Sequence, residues 1–417
     1  MEKILVLTRG KVLVVTQYFW PEDFRVNELV AGLVKKGYSV DVLTGRPNYP
    51  SGKLDKEYKK NPNKFNFFEG AKIYRTMHFL RGNNRFSLIL NYLSFLIAGT
   101  IYSLFLSRKK YDAIIAIQLS PIFSVIPAIL LKKISGKPLY FWVLDIWPDS
   151  ISSATKITEN KITYKILKSI SKKIYSSADV LFLTSKGFEA KLLDMNVTKP
   201  KLEYFPQWIE SSYLDYSEIR SFELDKVKKI FNKFVNKKVF LFAGNIGESQ
   251  NFSNLLSSFA NADNLKDFVF LILGDGRYKE KLSEEIKKLN LSKNVILLGR
   301  YPSRYMPTFY KYADVLVFSL TDLPIFKMTL PGKVQSYMSS GKAIIAMIDG
   351  ESSEIINEAN CGFAVGPNDI KGFSKIINRC IALSDEELNE LGNNGKNFAL
   401  KEFQFSTQLT KLVNHIK

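Results

Sequence analysis

Cysteine and histidine are nearly missing from this chain, with two of each in 417 residues. Cys361 and Cys380 cannot build a disulfide framework, so the sequence reads as a reduced, cytoplasmic protein with buried, inert thiols. His78 and His415 are too few for a histidine-based zinc site or a Ser-His-Asp triad. No Asp-x-Asp dyad has flanks suited to bridging a diphosphate through Mg²⁺, and neither a metal nor a cofactor is expected. No cleavable leader is expected either, because Met1–Lys11 holds only a short apolar run with charges on both sides. That run, Ile4–Thr8, reads as an extension ahead of the better strand Val12–Thr16.

Acidic residues are scarce in one half only. Of the 59 Lys+Arg and 40 Asp+Glu, 32 and 16 lie in the first 206 residues, a net +16, which leaves 27 and 24, or +3, for the rest. Such asymmetry points to an anionic surface as partner, either membrane or nucleic acid. A nucleic-acid binder would interleave aromatics with its basic residues. Here the aromatics fall in apolar strands and helices, so nucleic acid is not the expected partner. The run FSLILNYLSFLIAGTIYSLFL (86–106) is long enough to span a bilayer, and Arg81, Arg85, Arg108, Lys109 and Lys110 bracket it. A crossing here would strand the following strand YDAIIAIQ on the wrong side. The expectation is therefore an interfacial helix on an anionic membrane surface, inserting Leu88, Leu93, Phe95, Leu96, Leu104 and Phe105, with an ordinary core helix as the alternative reading.

What is abundant is alternation of apolar strands with helical patterns, the signature of parallel α/β sheets. KVLVVTQ (11–17), YSVDVLT (38–44), AKIYRTM (71–77), YDAIIAIQ (111–118), PLYFWVLD (138–145) and ADVLFLT (178–184) read as strands. Asn27 is expected to cap the first helix and Gly37 to close it. The pattern then restarts with KKVFLFAGNIG (237–247), FVFLILGDG (268–276), NVILLGR (294–300), ADVLVFSL (313–320), KAIIAMI (342–348) and GFAVG (362–366). Two doubly wound domains in tandem follow, 1–206 and 207–401, with helices after Ser384 closing the chain.

Glycine loops follow two strands of the second half: GNIG, with Gly244, Asn245 and Gly247, and GDG, with Gly274, Asp275 and Gly276. They suit either a close backbone approach to phosphate or simple turn geometry. A third stretch, PIFKMTLPGKVQSYMSSGKAIIA (324–346), carries Lys327, Lys333 and Lys342 and no acid. Thr329, Leu330, Pro331 and Gly332 precede a helix whose free N–H groups and dipole favour an anion, and Lys327 and Lys333 flank that point. A polyphosphate is the simplest ligand.

In order along the chain, AGNIGESQN, LILGDGRYKEKL, LLGRYPSRYMPTFYKYADVLVFSL, LPGKVQSYMSSGKAIIA and GFAVGPND resemble the C-terminal domain of glycosyltransferase family 4. VVTQYFWPEDFRVNELVAGLVKKGYSVDVLTG and FWVLDIWPDS resemble its N-terminal domain, so the likeness runs from Lys11 to the C-terminus. The branch it resembles adds N-acetylfucosamine-type sugars in bacterial O-antigen or capsule synthesis. The resemblance implies a GT-B fold: α/β, two Rossmann-like doubly wound parallel-sheet domains with an interdomain cleft, the last helix (402–417) returning to the first domain. It also implies a nucleotide-sugar donor, UDP-linked, on the second domain and a lipid-diphosphate-linked glycan acceptor on the first.

Several positions depart from the broader family pattern. Two glutamates eight apart are replaced by Met328 and Ser336, an Arg and a Lys after the first C-domain strand by Asn245 and Gln250, and a His before Asp145 by Leu144. The expected donor-site set is Gly244, Asn245, Gly247, Gln250, Gly274, Asp275, Gly276, Arg277, Arg300, Thr329, Leu330, Pro331, Gly332, Gln335 and Ser336, with Lys333 and Lys327 offsetting the lost cations. A retaining transferase, as the resemblance implies, needs no carboxylate pair, because cations and amides stabilise the departing diphosphate. Asp145, at a strand end, is the candidate to orient the acceptor hydroxyl or donor sugar. Glu22 and Arg25, in the loop after the first strand, are the candidate acceptor or cleft contacts. An epimerase or hydrolase sharing the donor site is the alternative enzyme reading.

Overall fold

The computed structural model describes residues 9–49, 51–82, 84–154, 160–197, 201–210 and 221–416. The expected extension Ile4–Thr8 lies outside the described residues. Contacts divide the chain into two units, Met1–Pro206 with Gln408–Lys417, and Gln207–Thr407.

The first unit is built on strands β1 (Gly10–Val15), β2 (Tyr38–Thr44), β3 (Phe67–Phe68), β4 (Ala71–Arg75), β5 (Ala113–Gln118), β6 (Leu139–Val143), β7 (Val180–Leu183) and β8 (Leu202–Tyr204). They form one sheet in the order β3-β4-β2-β1-β5-β6-β7-β8. Only β3 runs antiparallel, to β4. Val12 to Val15 and Ala113 to Ile117 are wholly buried, which is why these strands read as unbroken apolar runs: helices cover both sheet faces. Asn27 does not cap the first helix, which spans Arg25–Lys35 with Phe24 at its N-cap. Its amide instead accepts from Trp20 N (3.1 Å) and donates to Glu22 O (2.7 Å), tying down the loop ahead of the helix.

Helices Arg85–Leu106, Ile126–Ser135 and Ile162–Tyr175 follow β4, β5 and β6. Right-handed crossovers place all three on one face of the sheet, since the chain moves from β4 through β7 in a single direction. The first two pack together. There a Cβ at Gly99 would stand 2.9 Å from Pro127 Cγ.

The long Arg85–Leu106 helix is oriented opposite to a solvated helix. Its polar residues face inward: Asn91 Oδ1 accepts from Gln17 Nε2 (2.8 Å), and Asn91 Nδ2 donates to Phe79 O (2.6 Å). Ser94 Oγ accepts from Phe79 N (2.9 Å), and Ser103 is fully buried. Phe86, Ile89, Leu93, Ile97, Ile101, Leu104 and Phe105 are exposed. Among the described residues this is the one helix long and apolar enough to cross a membrane, yet only 22% of its most apolar window is buried. Two expectations change. Phe95 is 0% exposed and packs edge-on against His78, so it is core. Lys109 Nζ is paired with Asp41 (3.2 Å) and bonded to Tyr74, facing the sheet rather than outward. The Arg85 side chain lies outside the described residues.

The second unit holds β9 (Lys238–Ala243), β10 (Phe268–Leu273), β11 (Val295–Gly299), β12 (Val315–Ser319), β13 (Ala343–Met347) and β14 (Gly362–Val365). All are parallel, in the order β11-β10-β9-β12-β13-β14. Phe259 of the helix Phe252–Ala260 stacks on Phe270, with ring centroids 4.4 Å apart, covering one face. Both cysteines are buried, and burial pushes each thiol up to about 12. Ser384 and Glu387 form a reciprocal capping box that opens the helix Asp385–Glu402. Gln408 onward, most of the last helix Phe405–His415, belongs to the first unit, within which His415 meets Glu203 and Lys411 Nζ donates to Tyr204 O (3.3 Å).

Candidate functional site

In the second unit the strand order reverses between β9 and β12. Open α/β sheets bind ligands beyond the carboxyl ends of the strands at such a point. Three segments meet there: the loop after β9, the loop after β12, and the N-terminus of the helix Gly332–Ser339.

That helix is fixed by Tyr337, which is fully buried. Its hydroxyl accepts from Ala243 N (2.9 Å) and donates to Ala243 O (3.3 Å), at the end of β9. Lys333 precedes Tyr337 by four residues and so shares its face. The anchored tyrosine therefore delivers the Lys333 ammonium to the same strand end. Lys333 Nζ sits 3.9 Å from the Phe242 ring centroid and 5.7 Å from that of Phe318, one ring from each strand flanking the reversal. It donates to Gln250 Oε1 (2.9 Å), a neutral amide. A Cβ at Gly244 would lie 2.9 Å from this nitrogen, so that glycine makes room for it. Among the described residues no carboxylate pairs with Lys333. Burial alone lowers its ammonium to about 7.

Lys327 is placed differently from the expectation. Its ammonium lies 3.1 Å from Asp322 and 3.3 Å from Asp349, and these carboxylates hold it above the ordinary lysine range. Both acids flank the 324–346 stretch, so the missing counter-charge comes from just outside it. Lys342 stands at the opposite, N-terminal end of β13, where burial lowers its ammonium. Of the three lysines, only Lys333 is at the strand reversal without a compensating acid.

The two glycine loops serve each other. Ile246 N donates to Asp275 O (2.9 Å) and Tyr278 N to Ile246 O (3.1 Å). A Cβ at Gly274 would fall 1.8 Å from Gly244 O, and one at Gly276 would fall 2.1 Å from Ile246 O. Turn geometry and loop-to-loop contact thus account for Gly274 and Gly276. Asp275 is exposed and ion-paired with Lys279 (3.4 Å), while Arg277 and Arg300 are exposed. Thr321 N donates to Ser249 O (2.9 Å), and Ser319 Oγ donates to Gln250 O, locking the loops after β9 and β12 together. Leu330 is buried, and Thr329 Oγ1 donates to Ile325 O (2.7 Å). Pro331 is the N-cap and Gly332 the first helical residue. Ser336 Oγ donates to Gly332 O (3.1 Å), and Gln335, with its amide oriented to donate, bonds Pro331 O and Gly332 O. These last two side chains brace the helix start from within.

In the first unit, Asp145 lies just past β6. Burial pushes its carboxyl up to about 6, with Asp149 adding to the rise, against hydrogen bonds from Ser150, Ser120 and the Ile146 amide. Ser120 Oγ also accepts from Trp147 Nε1 (3.0 Å), so the loop after β5 and the loop after β6 jointly hold the carboxyl. Glu22 is engaged within the first unit. Its Oε1 accepts from Asn48 N (2.6 Å) and Tyr49 N (2.5 Å), clamping a neighbouring loop, and burial raises its pKa. Arg25 is the first residue of its helix. Phe242, Phe318 and Tyr337, which shape the Lys333 site, were not expected; their only signal was an aromatic residue near each strand end and on the helix.

Residues 224–398 match the family described as glycosyl transferases group 1. The chain is 27% identical over 298 residues to the probable glycosyltransferase WbjE of Pseudomonas aeruginosa, covering 69% of this chain and 70% of that one. It is 24% identical over 272 residues to the putative colanic acid biosynthesis glycosyl transferase WcaI of Escherichia coli, covering 63% and 64%. A shorter match, 28% over 161 residues and 37% and 40% of the two chains, is to the N-acetylgalactosamine-N,N'-diacetylbacillosaminyl-diphospho-undecaprenol 4-alpha-N-acetylgalactosaminyltransferase of Campylobacter jejuni. In three dimensions the chain superposes on Anabaena Alr3699/HepE in complex with UDP, with TM-score 0.70, 14% identity and coverage of 97% and 98%.

Proposed function

We propose that this chain, a GT-B protein with a group 1 glycosyl transferase match over its second unit, is a retaining glycosyltransferase of bacterial surface polysaccharide synthesis. It moves an N-acetylated, fucosamine-like sugar from a UDP-sugar to a lipid-diphosphate-linked glycan. The observation that carries this reading is Lys333: a half-buried ammonium at the strand reversal, facing aromatic rings and an amide, with no described carboxylate to balance it. A donor diphosphate is the anion such a site lacks. The match to a transferase acting on a diphospho-undecaprenol acceptor supports the acceptor class, and the UDP complex supports the nucleotide.

In this reading the diphosphate leaves under stabilisation by Lys333 and the first-turn amides of its helix, which is the larger contribution to rate. The departing oxygen takes the acceptor proton on the same face. Asp145 orients the acceptor hydroxyl. Asn245, Gln250 and the backbone of Gly244 and Gly247 line the donor, and Lys327 holds Asp322 and Asp349 beside the helix start. The protein works at the cytoplasmic face of the plasma membrane, docked through the exposed stripe of the 86–106 helix with Arg108 and Lys110.

The test is mass spectrometry of a UDP-sugar panel incubated with the protein and bacterial membrane lipids. A glycosylated lipid diphosphate is expected. Sugar consumed without any lipid product would instead favour an epimerase or hydrolase, and no sugar consumed would overturn the donor assignment.

A further inference from the structure

The helix Ile162–Tyr175 carries a feature that the 86–106 stripe does not explain. Ile162, Ile166 and Ile170 are 70%, 52% and 37% exposed. Spaced four apart, they share one outward face, while Tyr164, Ser171, Ile174 and Tyr175 turn inward. A solvated helix carries polar residues on that face, and a contiguous apolar ridge marks an interaction surface.

The ridge does not stand alone. The crossovers place this helix on the same sheet face as Arg85–Leu106, with Ile126–Ser135 between them. The middle helix exposes Ile134 as well. None of the three helices contains an Asp or Glu. Described carboxylates that reach them from neighbouring elements are matched: Asp179 with Lys132 (2.7 Å), Asp194 with Lys168 (2.6 Å), and Asp149, which accepts from the Tyr164 hydroxyl (3.1 Å), with Lys191 (2.8 Å). Lys133, Lys165, Lys172 and Lys173 are exposed and have no ion pair among the described residues.

We infer that the Ile162–Tyr175 helix is a second lipid-contacting element, so that the first unit meets an anionic bilayer through a whole helical face and not through the 86–106 helix alone. The inference rests on the membrane-docking reading and adds a footprint to it. Mixed apolar and cationic composition decides the occupant. Two copies joined by this face would set lysine against lysine with no acid to relieve them. Anionic headgroups supply the missing charge while isoleucines enter the interface.

Flotation of the full chain with phosphatidylcholine vesicles, with and without phosphatidylglycerol, tests this. Wild-type protein is expected on the anionic vesicles. Lys165→Ser/Lys172→Ser/Lys173→Ser should lower partitioning about tenfold or more at low salt, and Ile162→Ser/Ile166→Ser should lower it at every salt concentration. These positions are exposed, and unchanged thermal melting confirms folding. An environment-sensitive dye on Ile166→Cys should shift to the blue on anionic vesicles, as should one on Ile97→Cys. A dye that responds at 97 but not at 166, with both helix variants binding normally, overturns this inference and leaves the 86–106 reading intact. Wild-type protein that ignores all vesicles overturns both. Variants that change the sedimenting species and not vesicle binding overturn it in favour of a second copy.

Discussion

Lys333 concentrates the chemistry of the second unit in one nitrogen. In the unliganded chain burial lowers it to about 7; a diphosphate alongside favours the charged form and raises it again. UDP binding at pH 8 should therefore take up a proton, measurable by calorimetry in buffers of different ionisation heat, and Lys333→Ala should abolish the uptake. The same substitution should weaken UDP binding by about 1.5–3 kcal/mol, as for a hydrogen bond to a charged group. Lys327→Ala should weaken it less, because that ammonium already serves Asp322 and Asp349. The stability sign runs the other way from a paired lysine. The unfolded chain holds more protons between about 7 and the ordinary lysine value, so unliganded stability rises with pH in that window relative to Lys333→Met. Asp145 gives a second residue-level prediction. With its carboxyl pushed up to about 6, a role requiring the ionised form predicts a transfer rate that falls as pH drops through about 6. Asp145→Asn should keep UDP affinity and lower transfer about a hundredfold; retained turnover would make Asp145 a structural residue of the Trp147 turn.

At the scale of elements, the donor site depends on two loops and one helix holding each other. Gly274→Ala introduces a Cβ 1.8 Å from Gly244 O at a φ of +145°, and neither backbone can retreat without breaking the Ile246–Asp275 hydrogen bond. The expected result is a lower Tm together with loss of UDP binding. Tyr337→Phe is subtler, since the ring fits and only the hydroxyl goes. Removing it leaves the Ala243 N–H without its acceptor, which should cost about 1–3 kcal/mol in urea denaturation. UDP affinity should fall with it, because Tyr337 aims Lys333. A destabilised variant with unchanged UDP affinity would separate the anchor from the site.

For the molecule as a whole, the positive excess of the first 206 residues and the outward apolar stripe of the 86–106 helix predict two separable contributions to membrane binding. Lysines and arginines near an anionic surface contribute on the order of 1 kcal/mol each, and this falls with salt. Arg108→Ser/Lys110→Ser should remove mainly salt-sensitive flotation. Leu93→Ser/Ile97→Ser, both at exposed positions, should remove mainly the salt-resistant part. Lys109 is best left in place, because its pairing with Asp41 makes its loss a stability change.

The sequence by itself determined where the principal strands lie. YSVDVLT coincides with β2 residue for residue, and the other principal strands differ only at their ends, because a parallel sheet buried on both faces demands unbroken apolar runs. The two-residue β3 and three-residue β8 were missed, being too short to carry a pattern. It also determined that the 324–346 stretch would meet an anion-favouring helix start. Only the tertiary structure decided which lysine faces that point without a counter-charge, since Asp322 and Asp349 reach Lys327 through space. The same holds for Glu22, whose carboxylate is taken by two backbone amides from another loop, and for Gly274, whose partner is a carbonyl thirty residues away. The 86–106 run is apolar on nearly every side, so periodicity could not tell which face is covered. Asn91, pulled inward by Gln17 and Phe79, decides that. Burial and charge compensation are properties of neighbours, and neighbours are assigned by the fold.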